Sequence, residues 1–182
     1  MAFERVGSED VWTGRIASVR VERWRHDDGE VVEREVVGHP GAVCVVAHDG
    51  ERLWLVRQPR EAVGDPALLE LPAGKLDEEG EDALATAKRE LAEEIGKSAA
   101  TWQHLTTFYA SPGFSDEAIW VYMATDLTDE HAETDENERI EIEVVPLTAL
   151  DDVIRDCRDA KSLIGLLWFR AFDLPGTGGR PA

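Results

Sequence analysis

The chain is short of cysteine, of basic residues and of long apolar runs, and each shortage narrows what it can be. Two cysteines in 182 residues cannot build the disulfide framework that staples small secreted domains. Cys44 lies in the apolar run AVCVVA and Cys157 in an expected helix, so both are expected as thiols in a cytoplasmic protein. The longest strongly apolar stretch, LIGLLWF from Leu163 to Phe169, is far shorter than the ~20 residues that span a bilayer. The first residues, MAFERVGSEDVW, carry neither the apolar core nor the small-residue cleavage site of a signal peptide. No membrane partner is therefore expected. Lysine and arginine number 19 against 38 acidic residues, a net charge of −19. With no basic stripe, the chain is not expected to bind nucleic acid, whose backbone is gripped by clustered Lys and Arg.

What is present suits a folded α+β chain. A 43% hydrophobic and 31% charged composition is far from that of a disordered chain. From Arg15 to Arg57 the pattern is β: VRVERW alternates, HDDG turns, VVEREVV resumes, and AVCVVA is apolar throughout, as in a strand covered on both faces. LWLVRQ and LLELPAGKL read as further strands, the second ending in a Pro-Gly loop. Asp82 is placed to cap a helix from about Ala83 to Ile95, which Gly96 would stop. TWQHLTTFYASPGF and AIWVYMATDL read as strands joined by SPGFSDE, and IEIEVVPL as another. Thr148 and Ser162 are the expected caps of two closing helices. The sum is a mostly antiparallel or mixed sheet with helices on its faces.

The helix raises a physical question. At about 100° per residue, Leu84, Ala87, Leu91 and Ile95 form one core stripe. Glu90 and Glu94, one helical turn apart, stack along the edge of that stripe, with Glu93 in the next column outward. Like charges at this spacing repel, and no lysine stands at the compensating position. Clustered carboxylates without a cationic partner suit a hard divalent cation such as Mg²⁺.

GKLDEEGEDALATAKRELAEEIG, from Gly74 to Gly96, resembles the Nudix box, the signature of hydrolases that act on nucleoside diphosphates linked to another group. It departs from that pattern by one extra residue before Glu81 and by Lys97 where an aliphatic is usual. The resemblance implies an α/β/α sandwich with a mixed sheet over residues 42–174. A small antiparallel β region (1–41) would precede it and a tail (175–182) would follow. It also makes Glu90 and Glu94 metal ligands, with Glu93 on the metal or its water, and has Arg89 hold the box together by pairing with a glutamate such as Glu81. His39 and His104 have no metal-site spacing and are expected to be structural.

The flanks, LPAG preceded by Glu70, the upstream VRQPR and the downstream SPGFSDE, resemble those of ADP-ribose pyrophosphatases. That likeness implies a further metal ligand in the Ala73 carbonyl. It assigns a catalytic base to Glu136 and a metal ligand to Glu138, in the acidic segment before IEIEVV. Arg60 is expected on the diphosphate, Arg34 near the ribosyl phosphate or adenine, Glu117 on the terminal ribose, and Glu70 and Trp12 among the substrate-binding residues. Trp24 is a second aromatic candidate for adenine. The implied reaction is Mg²⁺-dependent hydrolysis of ADP-ribose to AMP and ribose 5-phosphate, with Mn²⁺ as a substitute cation. The implied assembly is a homodimer with exchanged N-terminal strands. Other nucleoside diphosphate sugars or NADH are alternative substrates. A sensor that binds ADP-ribose without hydrolysing it is a further alternative, disfavoured by the intact glutamates.

Overall fold

The computed structural model describes residues 1–132 and 139–173, in two units. The first joins Met1–Gly41 with Phe108–Ala118, and the second joins Ala42–Thr107 with the chain from Ile119 onward.

Three antiparallel strands, β1 (Phe3–Thr13), β2 (Ser18–His26) and β3 (Val31–Gly38), make up the sheet of the first unit in that order. β2 and β3 follow the alternation legible in the sequence. β1 does not announce itself, because its register on β2 slips between Arg5 and Gly7 and again between Asp10 and Trp12. Each slip breaks the period of two by which a strand is recognised. The Phe108–Ala118 segment is fastened to β3. Val37 N–H donates to the Phe114 carbonyl at 2.7 Å, and Asp116 N–H donates to the Val37 carbonyl at 3.2 Å.

The second unit contains β4 (Ala42–His48), β5 (Arg52–Arg60), β6 (Asp65–Glu70), β7 (Ala73–Lys75) and helix α1 (Ala83–Ile95). These are followed by β8 (Lys97–Tyr109), β9 (Ala118–Asp129), β10 (Glu141–Pro146) and helices α2 (Leu150–Asp156) and α3 (Ala160–Trp168). The sheet order is β10-β5-β4-β9-β8, with β6 on β5 and β7 on β4. It is mixed: β4 runs parallel to β9 and antiparallel to β5 and β7.

All seven residues of β4 are buried, because a helix covers each face. Alternate strand residues point to opposite faces. Val43, Val45 and Ala47 share a core cluster with Ala87, Leu91 and Ile95 of α1. On the other parity, Val46 abuts Gly165 of α3, and the Cys44 thiol faces the Lys161 carbonyl at 3.8 Å. This is the α/β/α layering. Neither cysteine is in a disulfide. Among the described residues no helix is long and apolar enough to cross a membrane.

Asp82 caps α1, its Oδ1 accepting from Ala85 N at 2.8 Å, and Gly96 ends it in the left-handed region at φ 64°. The two later caps differ from expectation. Thr148 lies in a 3₁₀ turn, Leu147–Ala149, and α2 begins without a side-chain cap. Ser162 sits inside α3, which Asp159 caps by accepting from Ser162 N at 3.0 Å. A carboxylate outranks an internal serine as acceptor, and the serine hydroxyl is used elsewhere. Lys97, the departure from the box pattern, is used structurally. Its amine pairs with Asp129 and lies 5.6 Å over the Trp54 ring.

Asp82→Ala is expected to cost about 1 kcal/mol and to lower the melting temperature by roughly 2–4 °C. A thermal scan showing no change would mean that the cap contributes nothing.

Candidate active site

Helix α1 buries more charge than its sequence pattern suggested. Glu90 and Glu94 are 9% and 6% exposed, within the buried face rather than at its edge. A buried carboxylate needs a partner or a ligand. Arg89 supplies part of the answer: its Nη1 donates to Glu90 Oε1 at 2.8 Å and to Glu93 Oε2 at 2.9 Å, and its Nε reaches Glu81 Oε2 at 3.2 Å. Burial alone would lower the pKa of this guanidinium, but the Glu90, Glu93 and Glu81 carboxylates more than reverse that, so Arg89 stays charged. A search for lysine one turn away misses this arrangement. The cation is the residue before Glu90, and its long side chain reaches along the helix. Thr86, fully buried, adds a hydroxyl 3.1 Å from Glu81 Oε2.

The turn at Leu71–Gly74 lies directly against these carboxylates. Ala73 N–H donates to Glu94 Oε2 at 2.9 Å. A Cβ at Gly74 would stand 1.9 Å from Glu90 Oε1, so only glycine lets β7 approach the helix this closely. The turn is held from its other side as well, because Leu71 N–H donates to Ser162 Oγ at 2.7 Å.

Arg60 and Glu70 come together in the same unit, in roles the sequence did not separate. Arg60 grips Glu70 with two parallel bonds, Nε to Oε1 at 2.5 Å and Nη2 to Oε2 at 2.8 Å. Lys161 Nζ also reaches Glu70 Oε2, at 2.5 Å. The Glu70 side chain is wholly buried, and both of its oxygens are engaged. In this arrangement Glu70 holds Arg60 in place. Arg60 itself is partly exposed. Its Glu70 bond, together with the charges of Glu70, Glu94 and Asp159, raises its pKa against the effect of burial.

A cavity of about 350 Å³ opens at the C-terminal end of α1, lined by Glu93, Glu94, Glu130, His131 and Ile142, among others. Ala132 and Ile140 also line it, so the chain on both sides of segment 133–138 borders the helix carboxylates. Glu136 and Glu138, the expected base and metal ligand, lie outside the described residues. Among the described residues no three His, Cys, Asp or Glu side chains form a ready metal cluster. Two buried glutamates meet at the Ala73–Gly74 turn, Glu94 at the Ala73 amide and Glu90 against Gly74, and their donor atoms are oxygens. Such a set fits a hard divalent cation that takes its remaining ligands from elsewhere.

The other expected site residues belong to the first unit. A cavity of about 480 Å³ there is lined by Phe3, Trp24, Arg5, Arg20, Glu22 and Arg34, among others. Phe3 packs edge-on against Trp24 at 5.3 Å. Arg34 donates to the Glu33 carbonyl at 2.8 Å. Trp12 does not line this cavity. It is 57% exposed and its indole lies over Gly14, while Trp24 is the tryptophan that lines the cavity. Glu117 stands 3.5 Å from His39 Nδ1, which gives that histidine a structural partner. Glu22, nearly buried, takes Arg5 at 2.9 Å and Arg20 at 2.7 Å on one oxygen, and Arg20 reaches Asp116 at 2.8 Å. His104 packs edge-on against Tyr122 at 5.4 Å, a structural contact. Lys161, Asp159 and Thr86 were not singled out from the sequence. The only signal was Asp-Ala-Lys-Ser, a helix start with its cap three residues before the serine.

Gly74→Ala is expected to displace the Glu90 carboxylate while leaving the fold intact, and to reduce turnover by roughly 100-fold. Wild-type rates from a folded variant would show that the close approach has no bearing on activity.

The comparisons with known proteins agree with this geometry. The NUDIX domain model matches residues 38–164. An ADP-ribose pyrophosphatase of Mycobacterium tuberculosis is 48% identical over 126 residues, covering 69% of this chain. That match spans only 60% of the relative's own length. An ADP-ribose pyrophosphatase of Bacillus subtilis is 36% identical, with 91% of each chain covered. A crystal structure of an ADP compounds hydrolase superposes with a TM-score of 0.81 over 93% of both chains, at 24% identity, a likeness of fold. The box, its helix and the match over most of the chain lead to one conclusion: this protein belongs to the NUDIX domain family.

Proposed function

We propose that the protein hydrolyses the diphosphate bond of ADP-ribose in the presence of Mg²⁺, giving AMP and ribose 5-phosphate. The observation that carries the proposal is the buried Glu90–Glu94 pair set against the Ala73–Gly74 turn. Two carboxylates one helical turn apart beside that turn offer the hard oxygen donors that a divalent cation takes. The names of the M. tuberculosis and B. subtilis relatives support the choice of substrate.

Glu90, Glu94, the Ala73 carbonyl and Glu138 would hold the ion, with Glu93 as a further carboxylate. When bound, Mg²⁺, or Mn²⁺ in its place, sets positive charge against the diphosphate and makes water more acidic. The chain's own groups do the remaining work. Arg89 fixes the rotamers of Glu90 and Glu93, so the helix presents preorganised oxygens. Arg60, its plane set by Glu70, offers the planar, bidentate type of donor that diphosphate oxygens prefer. Glu136 would accept a proton from the attacking water as the new phosphorus–oxygen bond forms and the bridging bond breaks. Within the first unit, the cavity holding Phe3, Trp24 and Arg34 has the aromatic and cationic lining that suits a planar base or a phosphate.

A homodimer fits the exposure of Phe3, Val6, Val11, Trp12 and Ile16 on and beside the N-terminal strands. A monomeric mass in solution would contradict it.

Glu94→Gln is expected to abolish ADP-ribose turnover in a folded protein, and Glu136→Gln to lower kcat far more than Mg²⁺ affinity. A product assay against ADP-ribose, other nucleoside diphosphate sugars and NADH, with and without Mg²⁺, tests the whole reading. Preferential cleavage of NADH or of another sugar would replace the substrate. Tight binding of ADP-ribose without cleavage would make the protein a sensor.

A further inference from the structure

Behind Arg60 lies a chain of alternating charge that extends away from the carboxylate helix. Arg60 is bonded to Glu70, Glu70 to Lys161, and Lys161 to Asp159, its Nζ lying 3.0 Å from Asp159 Oδ2. The same Asp159 oxygen caps α3 through Ser162 N and takes the Ser162 hydroxyl. Of these groups Glu70 is wholly buried and the Lys161 side chain is only 14% exposed. Arg60 alone combines real exposure with an Nη1 that has no hydrogen-bond partner among the described residues.

A fully desolvated carboxylate must be met by charge and hydrogen bonds on both oxygens. Among the described residues Glu70 Oε1 has only Arg60, while Oε2 divides between Arg60 and Lys161. The ammonium is fixed in turn by Asp159. The plane of the Glu70 carboxylate is thus set by Lys161. Because the Arg60–carboxylate contact is a two-bond fork, that plane also sets the plane of the guanidinium. Lys161 contributes charge as well. It balances the second carboxylate of the chain, so that Arg60 is the counter-ion of one acid rather than of two. Burial works to lower the Lys161 pKa, and Asp159 and Glu70 raise it further than burial lowers it, so the ammonium is charged.

We propose that Lys161 is a positioning residue for Arg60, acting through Glu70 to aim the guanidinium at a substrate diphosphate. The proposal rests on the reading that Arg60 contacts that diphosphate. It differs from a plain structural anchor for α3 in one respect: its effect must pass through Arg60.

The test is a double-mutant cycle assayed with ADP-ribose and Mg²⁺, using Lys161→Met, Lys161→Arg, Arg60→Gln and the Lys161→Met/Arg60→Gln pair. Lys161→Met is expected to raise KM about tenfold, the usual scale for losing a side chain that orients a ligand-touching one, with kcat little changed. Lys161→Arg should restore most of the affinity. In the Arg60→Gln background, Lys161→Met should add less than about twofold to KM, since the residue it acts through is gone. Two outcomes overturn the proposal alone: an unchanged KM in Lys161→Met while Arg60→Gln raises it, or a Lys161→Met effect that multiplies in full onto Arg60→Gln. A wild-type KM in Arg60→Gln overturns the reading of Arg60 and this proposal with it. Should Lys161→Met fail to fold, Glu70→Gln carries the same expectation of raised KM and the same loss of effect beside Arg60→Gln.

Discussion

Arg89 makes contact with Glu81, Glu90 and Glu93 from a single guanidinium, and the local structure depends on that contact. Without it, α1 would carry three carboxylates within one turn and a half, two of them buried, and repulsion would compete with the packing of Leu91 and Ile95. With it, the helix can be both a core element and an acidic surface. Glu81 enters from the loop before the helix, so the same arginine ties the loop to the helix. The extra residue in that loop therefore leaves the carboxylate geometry undisturbed. The buried Glu90 and Glu94 carboxylates beside the Ala73–Gly74 turn, hard oxygen donors close together, are the physical basis for proposing a divalent ion there.

Central strand β4 carries the arrangement to the rest of the second unit. Helices α1 and α3 pack on its two faces, and both reach the Leu71–Gly74 turn. Glu94 of α1 takes the Ala73 amide, and Ser162 of α3 takes the Leu71 amide. The turn is thereby fixed from two layers at once, and the neighbouring Glu70 links it to Arg60 and Lys161. A proposed metal ligand, a proposed anion-binding arginine and the helix that supports each are thus joined through four residues of chain. Preorganisation of this kind is what allows oxygens and guanidinium groups to stabilise charge without rearranging.

Much of this was legible in the sequence, for reasons that differ from one element to the next. Helix α1 was legible because its periodicity, its Asp82 cap and its Gly96 stop agree, and β4 because an apolar run without alternation has to be covered on both faces. Strand β1 was hidden by two register slips and by the absence of any buried face. The cap of α3 was misassigned because Asp159 and Ser162 are both competent acceptors, and tertiary contact with Leu71 decided between them. Of the expected site residues, Ala73, Arg89, Glu90, Glu93, Glu94 and Arg60 come together in one unit. The burial of Glu70 and its bond to Lys161 were invisible, because the partners are 91 residues apart in the chain and no local pattern joins them. Trp24, rather than Trp12, lines the aromatic cavity, a distinction set by which face of the first sheet each occupies.

The central claim is that the carboxylates of α1 serve a divalent cation. It is tested most directly by titrating Mn²⁺, followed by electron paramagnetic resonance, into the wild-type protein and a Glu90→Gln/Glu94→Gln variant whose circular dichroism matches it. The expected result is saturable binding by the wild type that weakens by roughly 100-fold or more in the variant. Equal Mn²⁺ affinity in the two proteins would contradict the account.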